Sequence, residues 1–169
     1  LLGNLEIKSE ELIQLVQQQL QAQFNPDIAR TYEVASQIND LPHPVILYVA
    51  GAPGTGKSTL AQALASRLGI LNVVGTDSIR EVMRLSFSKE IVPTLHASSF
   101  EAGSQLVFDE KKASQERVIA GFVLQSQQVC VGIRAMVRRA IAEGTNLLIE
   151  GVHLLPFLVK MPEFDGQAY

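Results

Sequence analysis

The sequence is poor in the features that mark several broad classes of protein. Cys130 is the single cysteine, so an internal disulfide is excluded and a reducing, cytoplasmic setting is expected. There are 14 lysines and arginines against 17 acidic residues, and this balance lacks the basic field that nucleic acid requires. No apolar run approaches the ~20 residues that cross a bilayer, and no signal peptide is recognisable. We therefore expect neither nucleic acid nor a membrane as the partner.

Internal repeats and low-complexity segments are also absent. The chain has 169 residues, 47% of them hydrophobic, which is enough for one buried core and too few for two full domains. It opens with Leu1 and not with methionine, so its first residues need not be a natural start. These figures indicate an ordinary globular composition.

The first forty residues predict helices that lie outside any sheet. Ser9 is a candidate N-cap for a helix over residues 10–23, and Pro26 begins a second helix. Residues 39–44 (NDLPHP) contain two prolines and are predicted to be a linker. The predicted division is a helical segment, residues 1–40, followed by a domain, residues 41–169.

Beyond the linker, predicted strands and helices alternate. Residues 45–50 (VILYVA) form a continuous apolar run with β-branched side chains, which predicts a strand covered on both faces. The later segments are predicted as a helix at 57–68, a strand at 70–74, a helix that begins with Ser78 as the N-cap of a capping box, a helix at 115–142 and a strand at 147–149. This alternation predicts an α/β fold with a parallel sheet and flanking helices.

Residues 51–58 (GAPGTGKS) match the phosphate-binding motif G-x-x-x-x-G-K-[ST] in full. Glycines allow the backbone N–H groups to turn inward, and the following helix points its positive end at an anion. Lys57 is placed to reach the β- and γ-phosphates of ATP, and the Ser58 hydroxyl to ligate Mg²⁺. The alternative, a chance glycine loop, is disfavoured by the strand before it and the helix after it. The predicted ATP-binding residues are Gly51, Ala52, Pro53, Gly54, Thr55, Gly56, Lys57, Ser58 and Thr59.

Two charged residues follow the second predicted strand. With Ser78 as the N-cap, Asp77 would stand at the carboxyl end of that strand, where open α/β sheets bind ligands. A carboxylate there could position or deprotonate an acceptor hydroxyl, and Arg80 could bind the anionic group of the acceptor. The alternative is a helix-start acid and a solvated arginine. The prediction is an acceptor site that contains Asp77 and Arg80.

Three longer motifs resemble one family. They are residues 75–84 (GTDSIREVMR), 93–102 (PTLHASSFEA) and 143–156 (EGTNLLIEGVHLLP), and together they closely resemble the 2-phosphoglycerate kinases. The resemblance extends from about Val45 to Pro156. It implies a P-loop kinase that converts 2-phosphoglycerate to 2,3-bisphosphoglycerate with ATP and Mg²⁺, and so a small anionic substrate. The helices before Pro44 resemble the end of an ATP-cone-like segment, for which no second nucleotide site is predicted.

The resemblance also implies a role for Glu150 at the end of the third strand. In P-loop kinases a carboxylate there helps to hold Mg²⁺ or orients the nucleophile, so Ser58 and Glu150 are the predicted metal residues. The alternative is a strand-end acid that caps a turn. The predicted catalytic set is Lys57, Asp77, Arg80 and Glu150.

Other polar residues admit two interpretations. Acceptor contact and a purely structural role are both open for His96 and His153, and acceptor lining and turn closure for Thr94, Ser98 and Ser99. Phosphate contact and simple solvation are both open for Arg134, Arg138 and Arg139, while Cys130 is predicted to lie in the core.

The stretch after Gly151 limits what this chain is expected to do alone. Only residues 152–169 remain, which is too little for further strands and a mobile lid, so we expect a kinase core that is incomplete at its C-terminus. Activity is expected of the full-length parent, whereas this chain is expected to be inactive or weakly active with an open sheet edge.

Two alternative functions stay open: a kinase for a sugar acid or an inositol phosphate, and a non-catalytic nucleotide-binding module. A GTPase is disfavoured because the Asn-Lys-x-Asp guanine signature is absent. The oligomeric state is not predicted.

Overall fold

A computed structural model describes residues 9–105 and 114–159 of the chain. Two helices come first, α1 (Ser9–Gln23) and α2 (Pro26–Asn39). The Asn25 side chain accepts a hydrogen bond of 3.0 Å from the Asp27 N–H, which caps α2 as the Asn-Pro start predicts. Ser9 is the first residue of α1, so the predicted helix start is late by one residue.

A three-stranded parallel sheet follows, and it confirms the predicted α/β class. The strands are β1 (Ile46–Ala50), β2 (Asn72–Gly75) and β3 (Leu147–Gly151), in the order β1-β3-β2. Three long helices connect or follow them: α3 (Lys57–Leu68), α4 (Thr76–Ser86) and α5 (Ser114–Glu143). Smaller elements are the 3-10 helices Pro93–His96 and Ala102–Gln105 and the short α6 (Pro156–Val159).

The central strand β3 carries the core on both faces of the sheet. Leu147 and Ile149 pack with Ile133 of α5 on one face, while Leu148 packs with Ala61 of α3 on the other. The prediction that β1 is covered on both faces is wrong, because Tyr48 is 37% exposed. Among the described strands β1 has only one neighbour, so an apolar run alone did not establish its burial.

The boundary between β2 and α4 also departs from the prediction. Helix α4 begins at Thr76 with Gly75 as its N-cap and no side-chain capping bond, so Ser78 lies inside the helix and the capping box is wrong. The strand begins at Asn72 and not at residue 70, because the Ile70 N–H bonds to the Ala65 carbonyl at 2.9 Å and completes the end of α3. Strand and helix therefore join directly, without the loop that the prediction assumed.

Helix α5 is long and apolar enough, by length and composition, to cross a membrane. Val129, Ile133 and Val137 on this helix are nevertheless buried in the same core cluster as β3, as in a helix of a globular core. Its Gly121 lies against the backbone of Ala102 and Gly103 so closely that a methyl group would overlap them. This approach brings the loop that contains the 3-10 helices onto α5.

Candidate functional site

The phosphate loop joins the end of β1 to the first residue of α3. Gly54 and Gly56 have φ values of 77° and 79°, which favour glycine, and Gly56 is the N-cap of α3. No side chain caps that helix, so its first N–H groups face the loop without a side-chain partner. A helix start of this kind is suited to bind the phosphates of a nucleotide.

Contacts within the loop place Lys57 over its beginning. A methyl group at Gly51 would lie 3.1 Å from Thr55 Oγ1 and 3.8 Å from Lys57 Cδ, so both side chains approach the first glycine closely. The Thr55 hydroxyl donates a hydrogen bond of 2.8 Å to the Ala52 carbonyl and closes the turn. Ser58 and Thr59 follow on the first turn of α3 and are exposed. The loop is thus closed by a hydrogen bond between two of its own residues.

Glu150 lies on β3 at the level of the phosphate loop. It pairs in register with Val49, one residue before the end of β1, and with Gly75 at the end of β2. A methyl group at Gly75 would be 3.4 Å from Glu150 Oε1, so the carboxylate sits over the junction of β2 and α4.

The second oxygen of Glu150, Oε2, is buried and has no hydrogen-bond partner. An unpaired buried carboxylate oxygen is costly, and a cation or its bound water would satisfy it. Within the described ranges no group of three or more His, Cys, Asp or Glu side chains could hold a metal alone. The Glu150 carboxylate and the Ser58 hydroxyl fit Mg²⁺, which is commonly bound by one or two protein oxygens together with phosphates and water.

The structure brings Asp77 and Arg80 together on the first turns of α4. Arg80 Nε lies 3.5 Å from Asp77 Oδ1, and Arg80 NH1 donates a hydrogen bond of 2.7 Å to the Ala97 carbonyl. Asp77 is mostly exposed, whereas the Arg80 side chain is only 16% exposed. Asp77 was predicted to stand at the carboxyl end of the strand, before a helix capped by Ser78; instead α4 begins at Thr76, and Asp77 lies in its first turn, two residues after the end of β2.

The histidines occupy different environments. His153 is fully buried, with Nδ1 3.0 Å from Thr76 Oγ1 and Nε2 3.1 Å from Gln125 Oε1. Burial lowers the pKa of His153 to about 4, with Asp77 opposing the shift and Arg80 adding to it. His96 is half-buried and its Nε2 lies 2.8 Å from the Phe87 carbonyl.

Several of the remaining predicted polar residues bond within their own turn or helix, or to α6. Ser98 donates to Glu101 at 2.9 Å, and the Arg139 guanidinium bonds Glu143 of the same helix at 2.8 Å. Cys130 lies in the core, as predicted, and burial raises the pKa of its thiol. Cys130 Sγ and the Arg134 guanidinium both approach the Leu158 carbonyl, at 3.1 and 3.4 Å. Arg134 therefore bonds the end of α6.

An apolar cavity of about 520 Å³ opens beside the phosphate loop. Its walls come from the first loop residues, the turn after β3, the start of α5 and the segment between the 3-10 helices. The described lining residues are Ala50, Gly51, Ala52, Pro53, Ser99, Phe100, Val118, Ile119, Phe122, Val152, Leu154, Leu155 and Pro156. This lining contains no charged side chain, so it does not suit the charged groups of an anionic acceptor.

Sequence reasoning missed Thr76 and Gln125, the two buried partners of His153. Gln125 carried a usable signal, because it falls between Phe122 and Val129 at the spacing of the buried stripe of α5. A polar residue at a core position must find hydrogen-bond partners. Thr76 gave no comparable signal, because residues with a hydroxyl group are common at helix starts whether or not they are buried.

Comparisons with known proteins agree with this geometry. Residues 47–122 match the model of the ATPase family associated with various cellular activities (AAA), a range that includes most of β1 and all of the phosphate loop, α3, β2 and α4. The chain is 40% identical to the 2-phosphoglycerate kinase of Methanopyrus kandleri over 155 residues, which are 92% of this chain and 46% of the relative. It is also 40% identical to the 2-phosphoglycerate kinases of Pyrococcus furiosus and Thermococcus kodakarensis, with 94% and 99% of this chain and 52% and 56% of the relatives covered.

No solved structure matches the chain significantly. The chain spans about half the length of the curated relatives that it matches. In these three alignments more than nine-tenths of the chain takes part, so the resemblance to the 2-phosphoglycerate kinases is confirmed and the chain has the nucleotide-binding α/β core of a P-loop protein.

Proposed function

We propose that the protein to which this chain belongs is an ATP-dependent kinase that transfers the γ-phosphate to 2-phosphoglycerate and so forms 2,3-bisphosphoglycerate. The observation that carries this proposal is 40% identity to curated 2-phosphoglycerate kinases in alignments of 155 and 159 residues, which are long enough to span both the phosphate loop and the Asp77–Arg80 turn. The substrate of the reaction is therefore a small anionic molecule.

The phosphate loop and Lys57 bind the triphosphate in this proposal. The N–H groups at the start of α3 face the anion, and Lys57 adds a positive charge that reaches the β- and γ-phosphates. Ser58 and Glu150 would hold Mg²⁺, and their oxygens are of the type that this ion prefers. When bound, the metal would offset negative charge on the β- and γ-phosphates.

Asp77 and Arg80 form the acceptor side. Asp77 is exposed at the crevice end of the sheet and accepts or orients the proton of the acceptor hydroxyl. The Arg80 guanidinium lies 3.5 Å from both Asp77 and Glu81 and donates to the Ala97 carbonyl, and in this proposal it exchanges part of its carboxylate pairing for the acceptor's anionic group. The reaction is then an in-line transfer from the loop-bound nucleotide to a hydroxyl beside Asp77.

Glu150→Gln in the full-length protein tests the proposal together with its metal residue. The substitution keeps the shape and removes the negative charge, so we expect kcat to fall ~10–100-fold while the Kd for ATP changes little. Turnover is measured as ADP formed from ATP, Mg²⁺ and 2-phosphoglycerate, with the product identified by phosphorus NMR.

Glu143→Gln is the matched control, because Glu143 is exposed at the end of α5, where it pairs with Arg139 of the same helix. Normal turnover of Glu150→Gln would remove Glu150 from the mechanism. ATP binding by the parent without transfer to 2-phosphoglycerate would overturn the proposed acceptor. Transfer to a sugar acid or an inositol phosphate would then identify the alternative kinase, and transfer to no acceptor would favour a nucleotide-binding module.

A further inference from the structure

A buried chain of polar side chains connects the two halves of the candidate site. His153, Gln125 and Thr76 are each 0% exposed, and Thr94 is 1% exposed. His153 contacts Thr76 through Nδ1 at 3.0 Å and Gln125 through Nε2 at 3.1 Å. Three segments thus meet at the buried ring, and a fourth, at Thr94, is bonded to Gln125.

The hydrogen-bond pattern fixes the protonation of that ring. Gln125 Nε2 donates to the Thr94 carbonyl at 2.6 Å and to the Ala97 carbonyl at 3.0 Å, so Gln125 Oε1 faces His153 as an acceptor. His153 Nε2 must therefore carry the hydrogen, and in the neutral ring Nδ1 then accepts one from the Thr76 hydroxyl. A neutral imidazole with the proton on Nε2 satisfies every partner, in keeping with the lowered pKa of this residue.

The ends of this chain reach the residues assigned to metal and acceptor. Thr76 is the neighbour of Asp77 at the start of α4, and His153 follows Glu150 by three residues in the turn after β3. The Ala97 carbonyl accepts from Gln125 and also from Arg80 NH1, at 2.7 Å. One connected set of hydrogen bonds therefore relates the position of the Glu150 strand end to that of Asp77 and Arg80.

The backbone around the ring reinforces this relation. Gly151 has a φ of 152°, and a methyl group there would overlap the Thr76 side chain. The turn after β3 is thus pressed against the start of α4 at the same point where His153 bonds Thr76. The side chains of His153, Gln125 and Thr76 are fully buried, so none of them can contact a substrate. Any effect on the reaction has to pass through the residues that they position.

We infer that His153 is a positioning residue: its neutral, Nε2-protonated ring sets the geometry between Glu150 and the Asp77–Arg80 pair. This inference rests on the proposed kinase function. Loss of the ring's hydrogen bonds leaves the phosphate loop intact, since no loop residue belongs to the chain of bonds. It displaces the acceptor side relative to the bound nucleotide, and misplacement of reacting groups lowers turnover.

The test compares His153→Leu with His153→Gln in the full-length protein. Leucine removes both hydrogen bonds, whereas glutamine retains one donor and one acceptor. We expect His153→Leu to lower kcat/KM for 2-phosphoglycerate by about 10–100-fold, with the Kd for ATP within about twofold of the parent. His153→Gln should recover at least part of the loss. Thr76→Val removes the other end of the same bond, so its kinetic loss should be less than additive with that of His153→Leu.

A purely structural role predicts something different. Folded His153→Leu would then keep the parent's kcat and acceptor KM while its midpoint of unfolding falls, and that result overturns the inference. If the parent itself transfers no phosphate to 2-phosphoglycerate, the proposed function fails. The protonation of the His153 ring is then tested by NMR alone.

Nitrogen-15 NMR of the imidazole in the parent provides a measurement that does not depend on variants or on turnover. We expect a neutral ring with the proton on Nε2 at pH 7. A proton on Nδ1 or a charged ring at that pH would overturn the inference, even where His153→Leu fails to fold.

Discussion

At the scale of single residues, Lys57 is the cation that the phosphate loop itself provides. Its side chain lies over Gly51 at the start of the loop, where the triphosphate would bind. Lys57→Ala should weaken ATP binding by ~1.5–3 kcal/mol, which is roughly a 10–150-fold higher Kd. Isothermal titration calorimetry measures the change. Arg67→Ala is the control, since it removes a positive charge from the last turn of the same helix, and an equal loss in both variants would contradict a specific role for Lys57.

Asp77 and Arg80 separate proton handling from acceptor binding. Asp77→Asn keeps the size of the side chain, and we expect kcat to fall ~10²–10⁴-fold with ATP still bound. Arg80→Lys keeps the charge but loses the planar fork, so the KM for the acceptor should rise. Both are measured by steady-state kinetics on the full-length protein.

The control for these two variants is Asp27→Asn, another acid in the first turn of a helix but on α2. The ion pair between Asp77 and Arg80 is largely solvent-facing on the Asp77 side, so its loss should change stability by only ~0–1 kcal/mol. Normal kinetics in both Asp77→Asn and Arg80→Lys would refute the acceptor site.

What the sequence predicted at this scale depends on how far apart the partners lie. The phosphate loop is one local segment, so its eight-residue motif was sufficient to place it. His153 bonds to Thr76, which lies 77 positions earlier in the chain, and to Gln125, which lies 28 positions earlier. No local sequence pattern indicates that these three side chains meet. The contacts of Arg80 were predictable only in part. Its three-residue spacing from Asp77 is apparent in the sequence, whereas its bond to Ala97 is not.

At the scale of elements, helix and strand types followed from apolar spacing, while their junctions did not. Helix α3 has the predicted bounds because Gly56 and Gly69 end it with left-handed backbone at both sides. The β2–α4 junction was misplaced because Gly75 serves as the N-cap with no side chain to signal it. The exposure of β1 could not be predicted from the sequence either, because its neighbour in the sheet, β3, lies about a hundred positions later in the chain.

Packing of α5 against the preceding loop gives a test at this scale. In Gly121→Ala the new methyl group would overlap the backbone of Gly103 and Ala102, which cannot rotate away. We expect a loss of ~1–3 kcal/mol or more in the free energy of unfolding. Urea denaturation followed by circular dichroism measures it.

Gly132→Ala is the matched comparison on the same helix. There the methyl group would overlap one side-chain carbon, Ile79 Cγ2, and no backbone atom, while the gain of ~1 kcal/mol in helix propensity is common to both variants. Its loss should therefore be smaller than that of Gly121→Ala. The reverse order would show that α5 and the loop do not pack through backbone contact at Gly121.

At the scale of the whole molecule, the buried His153 makes folding depend on pH. Its pKa is about 4 in the folded chain against 6.5 when solvated, so the unfolded state binds the proton more readily. The buried ring therefore costs no stability above about pH 6.5, and its cost grows as the pH falls toward 4. Burial is the main cause of the low pKa, while the charge of Asp77 favours the protonated ring and that of Arg80 disfavours it. A difference of about 2.5 units corresponds to about 3 kcal/mol.

His153→Gln separates this contribution from that of the carboxylates, which also titrate in acid. Glutamine cannot be protonated, so the variant should lose less stability than the parent between pH 7 and 4, by up to about 3 kcal/mol. Urea unfolding at a series of pH values measures both curves. Because the two proteins share every other titrating group, their difference isolates the ring. Parallel curves would mean that His153 is protonated as easily in the folded chain as in the unfolded one, which full burial between Thr76 and Gln125 does not permit.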